Sequence, residues 1–74
     1  MDEAAQDRYE ALRSWRAKTS REQVMDSSLI LRRELMEQLA VDNPDSMDVL
    51  REQLADWQLA DYGEAILKAL RTAA

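Results

Sequence analysis

The chain contains no cysteine and no histidine. Without cysteine there is no disulfide, no thiolate nucleophile and no sulfur ligand, and a cytosolic compartment fits better than an oxidising one. Without histidine, zinc sites of the usual Cys/His kind are excluded, as is imidazole acid–base catalysis. Phenylalanine is absent, and glycine and proline occur once each, as Gly63 and Pro44. So few turn-formers in 74 residues disfavour a sheet of short strands and favour helices joined by few breaks. No apolar run approaches the length of a membrane span or a signal-peptide core. The expectation is a soluble, cytoplasmic module, one domain over residues 1–74, cut from a longer polypeptide, with no membrane partner and no small-molecule substrate.

What is present is apolar and charged in a mixture suited to a small helical bundle: 46% hydrophobic and 34% charged residues. The net charge of −5 is unevenly spread. Residues 8–33 hold seven basic side chains against Glu10, Glu22 and Asp26. Residues 34–61 hold eight acids against Arg51 alone. Only the basic third can attract a polyanion, and the acidic middle opposes its field.

The strongest periodicity lies near the end. Leu59, Tyr62, Gly63, Ile66, Leu67 and Leu70 recur at three-, four- and seven-residue steps, which draws one apolar stripe along a helix. A glycine inside a helix costs about 1 kcal/mol relative to alanine. Close approach of another backbone or a large ring would compensate, and Trp15 and Trp57 are the rings at hand. Earlier, Tyr9, Leu12, Trp15 and Thr19 mark a helix from about 7 to 23, with Asp7 at its start and residues 1–6 frayed. Val24 and Met25 form a connector whose side chains tuck into the core. Residues 29–31 are a short buried run, either one helical turn or an extended segment. The next helix spans about 32–41, with Leu31, Leu35 and Leu39 on its stripe and Met36 on the flank. Asn43-Pro44 breaks the chain, and Ser46 caps a helix that carries Met47, Leu50 and Leu54 and ends near 55–56. The last helix runs from 57 or 58 to 71. The fold class is therefore all-α, a compact bundle of four longer helices plus one short helical element.

Little in this pattern supports catalysis. The acids of residues 34–61 fall at helix starts or in a loop, where solvated carboxylates belong, and no glycine-rich loop accompanies them. Thr19, Ser20, Ser27 and Ser28 have no histidine or cysteine to activate them. The reading is non-enzymatic, with no catalytic residue, no metal and no cofactor. Binding is the better question. Arg13, Lys18 and Arg21 share a helix side, Arg16 flanks the apolar face, and Arg32-Arg33 begin the next helix. These cations either pair with Glu10, Glu22, Glu34 and Glu37 along helix faces or hold a few phosphates of a single strand. Tyr9, Trp15 and Tyr62 fall on apolar stripes and belong to the core. Trp57 follows an acidic loop and either caps the core or stays open to a base or a protein. With Asp45, Asp48 and Asp56 it makes a candidate protein-contact face.

Four segments together resemble the HRDC domain, the helical module at the C-terminal ends of RecQ-type helicases and ribonuclease D. Leu12-Arg13-Ser14-Trp15-Arg16 is similar to the family's Leu-x-x-Trp-Arg opening. Leu29-Ile30-Leu31 with Leu35 and Leu39-Ala40 is similar to its second segment. Pro44-x-Ser46 with Leu50 resembles its Pro-x-Thr/Ser-x-x-x-Leu step, and Tyr62-Gly63-Glu64-x-Ile66-Leu67 its closing Tyr-Gly-x-x-Ile-Leu helix. The resemblance covers about 8–71 and implies a non-catalytic accessory domain of a nucleic-acid-processing enzyme. A RecQ-type ATP-dependent DNA helicase is the first parent it suggests and a ribonuclease D-like exonuclease the second. In that family the connector folds back, which would gather Arg13, Arg16, Lys18, Arg21, Arg32 and Arg33 into one patch for single-stranded DNA or another nucleic acid. The alternative is an acidic docking module for the parent's catalytic core. Two departures stand out. Gln23-Val24-Met25 replaces the family's frequent Gly-Val-Pro. Residues 53–58 replace its Gly-x-Gly-x-x-Lys turn with neither glycine nor lysine and with Asp56 added, against phosphate contact at that face.

Overall fold

The computed structural model describes residues 1–73, which form five helices and no strand. They are α1 (Glu3–Gln23), α2 (Ser27–Ile30), α3 (Arg33–Asp42), α4 (Met47–Arg51) and α5 (Asp56–Thr72). The long α1 packs on α3 and α5, α2 packs on α1, and α4 lies against α5. Between them sits one apolar cluster: Leu12, Ile30, Leu31, Met36, Leu39, Leu50, Leu54, Tyr62, Ile66, Leu67 and Leu70. Each fully buried aliphatic side chain there contributes about 2 kcal/mol of transfer free energy.

Helix α1 starts four residues before the expected Asp7. The Asp2 carboxylate accepts a hydrogen bond from the Ala5 amide at 2.8 Å, satisfying one of the amides a helix start leaves open. Ala5 is buried and extends the stripe of Leu12 and Thr19 by two turns, so residues 3–6 are helical and anchored by Ala5 rather than frayed. At its other end Val24 adopts a left-handed conformation (φ 50°), and its amide returns to the Ser20 carbonyl. That turn aims Val24 outward, 93% exposed, and leaves Met25 at the surface, so neither tucks into the core. The Ser20 hydroxyl donates to the Met25 carbonyl and holds the connector close.

Asp26 caps the single turn α2. Its carboxylate accepts from the Ser28 amide and hydroxyl at 2.9 and 2.7 Å. These bonds hold the Asp26 carboxyl below the ordinary range, with a smaller contribution from Arg16. Within α2 Leu29 and Ile30 stand 100° apart, and the chain turns extended at Leu31. Leu29 therefore points to solvent while Ile30 and Leu31 are buried, and the buried run is two residues rather than three. On α3 the buried residues are Met36, Leu39 and Ala40, with Leu35 half-buried, so the stripe is centred on the expected flank. Asn43, a residue that tolerates φ 49°, closes the helix through its amide to the Leu39 carbonyl. Ser46 caps α4 as expected. The helix stops after five residues rather than near 55, because the Glu52 and Gln53 amides turn to carbonyls three residues back.

The buried face of α5 is Tyr62, Gly63, Ile66, Leu67 and Leu70, the expected stripe. Gly63 does accommodate a neighbour, but not a tryptophan. A β-carbon there would stand 2.8 Å from Cε and 3.0 Å from Sδ of Met47. Tyr62 and Gly63 are adjacent, hence about 100° apart around the helix. The tryptophans lie on the Tyr62 side, edge-on to its ring at 5.5 Å (Trp15) and 6.2 Å (Trp57), while Gly63 faces α4.

Three outcomes follow for stability, all read from urea midpoints. Val24→Gly should raise stability by about 1 kcal/mol, since a β-branched residue is strained at positive φ and this side chain packs on nothing. Gly63→Ala should fall within about 1 kcal/mol of neutral, because the helix preference of alanine offsets displacing the flexible Met47 terminus. Gly63→Leu should cost about 2–3 kcal/mol by overpacking.

Candidate nucleic-acid interface

The six cations singled out from the sequence divide into two groups around α1. The first centres on Arg16. Its Nη1 donates to the Leu31 carbonyl at 2.8 Å, which ties the middle of α1 to the residue just before α3. Leu31 is extended (φ −147°, ψ 129°), so its carbonyl has no place in a helical ladder and is open to such a donor. The next two residues, Arg32 and Arg33, therefore begin α3 beside α1, and both are exposed. Arg32 occupies the cap position of α3 with no side-chain bond to the helix. Arg33 reaches Glu37 at 3.2 Å in a solvent-exposed pair. Arg13, one turn before Arg16, is exposed and stands 3.9 Å from Glu10. Exposed pairs of this kind contribute at most about 1 kcal/mol and leave both arginines available to a stronger anion.

The second group faces elsewhere. Lys18 lines the groove between α1 and α5 together with Lys68, a residue the sequence pattern had not marked. Arg21 is exposed in the last turn of α1, one turn beyond Lys18. The arrangement thus brings Arg13, Arg16, Arg32 and Arg33 to one side and turns Lys18 to another. Asp26, close enough to Arg16 to feel its charge, lowers the potential of the first side.

The acidic positions lie on the opposite part of the chain. Asp45 is exposed before α4, Asp48 is exposed in its first turn 3.8 Å from Arg51, and Asp56 opens α5. Trp57 is 50% exposed beside Tyr62, so it both covers the core and meets solvent. Among the described residues no group of three or more carboxylates is placed to hold a metal ion.

Several polar links had no signal in the periodicity. Arg8 donates to the Ala40 carbonyl at 2.7 Å, Gln58 donates to the Ile30 carbonyl at 3.0 Å, and the Tyr62 hydroxyl donates to Gln23 at 2.6 Å. Each joins residues far apart in sequence, and nothing local announces such a partner. Gln58 also accepts from the Ala55 amide and so caps α5 from within.

This topology, with Arg16 fastened to the link before α3 and a Tyr-Gly pair seated on the last helix, agrees with a family comparison: the profile of the HRDC domain matches residues 5–70. The chain belongs to the HRDC family. HRDC domains are non-catalytic accessory modules associated with nucleic-acid-processing proteins, helicases and ribonuclease D among them. No curated protein and no solved structure matches the chain. No helix among the described residues of this HRDC domain is long and apolar enough to cross a membrane.

The two arginine environments make opposite demands on stability. Arg16→Ala should cost about 1.5–2 kcal/mol, the scale of a charge-assisted hydrogen bond to a part-buried carbonyl. Arg33→Ala should cost less than about 0.5 kcal/mol. Thermal or urea unfolding of the two variants side by side checks the contrast.

Proposed function

We propose that this HRDC domain gives its parent enzyme, a RecQ-type DNA helicase in the first reading and a ribonuclease D-like exonuclease in the second, a weak and sequence-independent hold on single-stranded nucleic acid. The observation that carries the reading is the Arg16–Leu31 hydrogen bond, because it sets Arg32 and Arg33 beside the arginines of α1. Arg13, Arg32 and Arg33 supply exposed guanidinium groups for phosphate, and Arg16 supplies its remaining donors from a fixed position. Lys18 and Arg21 extend the positive field along α1. Guanidinium groups are well matched to phosphate, forming paired hydrogen bonds to two oxygens. With the rest of the domain acidic, affinity stays low and depends steeply on salt. Sequence preference is not expected, since Tyr9 and Trp15, the aromatic residues next to these arginines on α1, pack against the core.

A second reading has its own observation: Trp57 is half-exposed next to Asp56, and Asp45 and Asp48 are exposed around the start of α4. Here the domain docks its acidic face on a basic surface of the parent's catalytic core and regulates nucleic-acid access without binding it.

Titration of a fluorescent oligothymidylate with the 74-residue chain at low salt tests the first reading. Binding should weaken on a log–log salt plot with a slope of about −2 to −3, corresponding to roughly three or four phosphates. Arg32→Glu with Arg33→Glu should abolish it. Unchanged binding by that double variant overturns the patch. No binding by the parent chain, together with retention on the catalytic core, establishes the second reading in its place.

A further inference from the structure

The groove between α1 and α5 enters those readings only through Lys18 at its wall, and neither gives it an occupant. It is an open trough of about 550 Å³ lined by α1 and α5. Its walls are short side chains, Ala11 and Ser14 on α1 and Ala65 and Ala69 on α5. Trp15, half-buried and edge-on to Tyr62, lines it as the one large apolar surface. The Thr72 hydroxyl at its edge is bonded to the Lys68 and Ala69 carbonyls of its own helix and asks nothing of a ligand. Small residues on both walls let a third helix approach closely and continue the bundle, as an apolar helix face seated between two others does.

Charge selects the occupant. Lys18 stands on one wall and Lys68 on the other, and among the described residues neither forms an ion pair within 4.0 Å. Glu64, one turn before Lys68, borders Met47, Leu67 and Arg71, and neither it nor Asp61, two turns before Lys68, lines the groove or comes within 4.0 Å of an ammonium group. Glu22, one turn beyond Lys18, lines no part of the groove. An apolar trough with an unpaired ammonium group on each wall complements an apolar stripe bordered by carboxylates. A nucleic acid fits it less well. The lining is mostly apolar, and the exposed guanidinium groups that suit phosphate lie on the α3 side of α1.

We propose that this groove docks an acidic amphipathic helix of a partner protein. Its leucine-like residues, three and four apart, would fill the space over Trp15 and the alanines. Its Asp or Glu side chains would meet Lys18 and Lys68.

The probe is a synthetic peptide of about four helical turns, with leucines at three- and four-residue steps and glutamates between them. It is titrated into the isotope-labelled chain and followed by NMR. The expected result is saturable shifts at the amides of Ala11, Ser14, Ala65 and Ala69 and at the Trp15 indole, while the Trp57 indole stays in place. Lys18→Glu with Lys68→Glu, both at the surface and compatible with the fold, should weaken the peptide about ten-fold, the scale of two lost surface ion pairs. A peptide with lysine in place of each glutamate should not bind. No shifts at the groove, or equal binding of the lysine peptide, overturns the proposal. So does an oligothymidylate that moves the Trp15 indole and the same four amides, which would make the groove a nucleic-acid channel.

Discussion

The bundle depends on one helix face. Along α5, Tyr62, Gly63, Ile66, Leu67 and Leu70 are buried, and the helix packs on the long α1 and on α4. Tyr62 meets two tryptophan edges and places its hydroxyl on Gln23 near the end of α1, so one ring closes the first helix on the last. Gly63, a step further round, leaves room for Met47 and so brings α4 close. With a core of this size, few substitutes exist for either contact. Small domains bury a smaller share of their surface than large ones, and each buried side chain carries more of the total.

Polar side chains complete what the apolar face begins. Arg8, Arg16 and Gln58 each donate to a main-chain carbonyl at a place where helical bonding stops: Ala40 near the end of α3, Leu31 between α2 and α3, Ile30 at the end of α2. Four-residue α2 leaves its last carbonyl open, and Gln58 satisfies it from α5, while Arg16 serves the next carbonyl from α1. The same economy shapes the binding surface. Arg16 gives part of its hydrogen-bonding capacity to structure, and in doing so positions Arg32 and Arg33, whose heads remain in water. Arg16, spent partly on the fold, and the exposed Arg32 and Arg33 are thus brought close together, and burial tells them apart.

Much of this was readable before any coordinates. Periodicity located the stripe of α5, the stripe of α1 and the Ser46 cap, because each rests on local spacing or local hydrogen bonding. The failures share a different cause. Val24 and Met25 are apolar, yet a left-handed closing residue turned them out, and composition holds no record of a turn's direction. The single turn of α2 exposed Leu29 for the same reason. The space at Gly63 was rightly anticipated, but the filler was misjudged, since which side chain crosses from another helix depends on helix rotation rather than residue size. At the candidate site, the residue types and their basic third were evident. That Lys18 turns toward Lys68 while Arg16 turns toward Leu31 required the packing of three helices.

The brevity of α4 has a consequence for how the molecule breathes. Five residues are too few to hold a helix in water without help, since nucleation outweighs the handful of bonds gained. Its order is on loan from Leu50 in the core and from the seat of Met47 above Gly63. Loss of those two contacts would release the segment bearing Asp45 and Asp48 while the packing of α1 on α5 stays in place, so an acidic stretch is tied to the fold by few anchors.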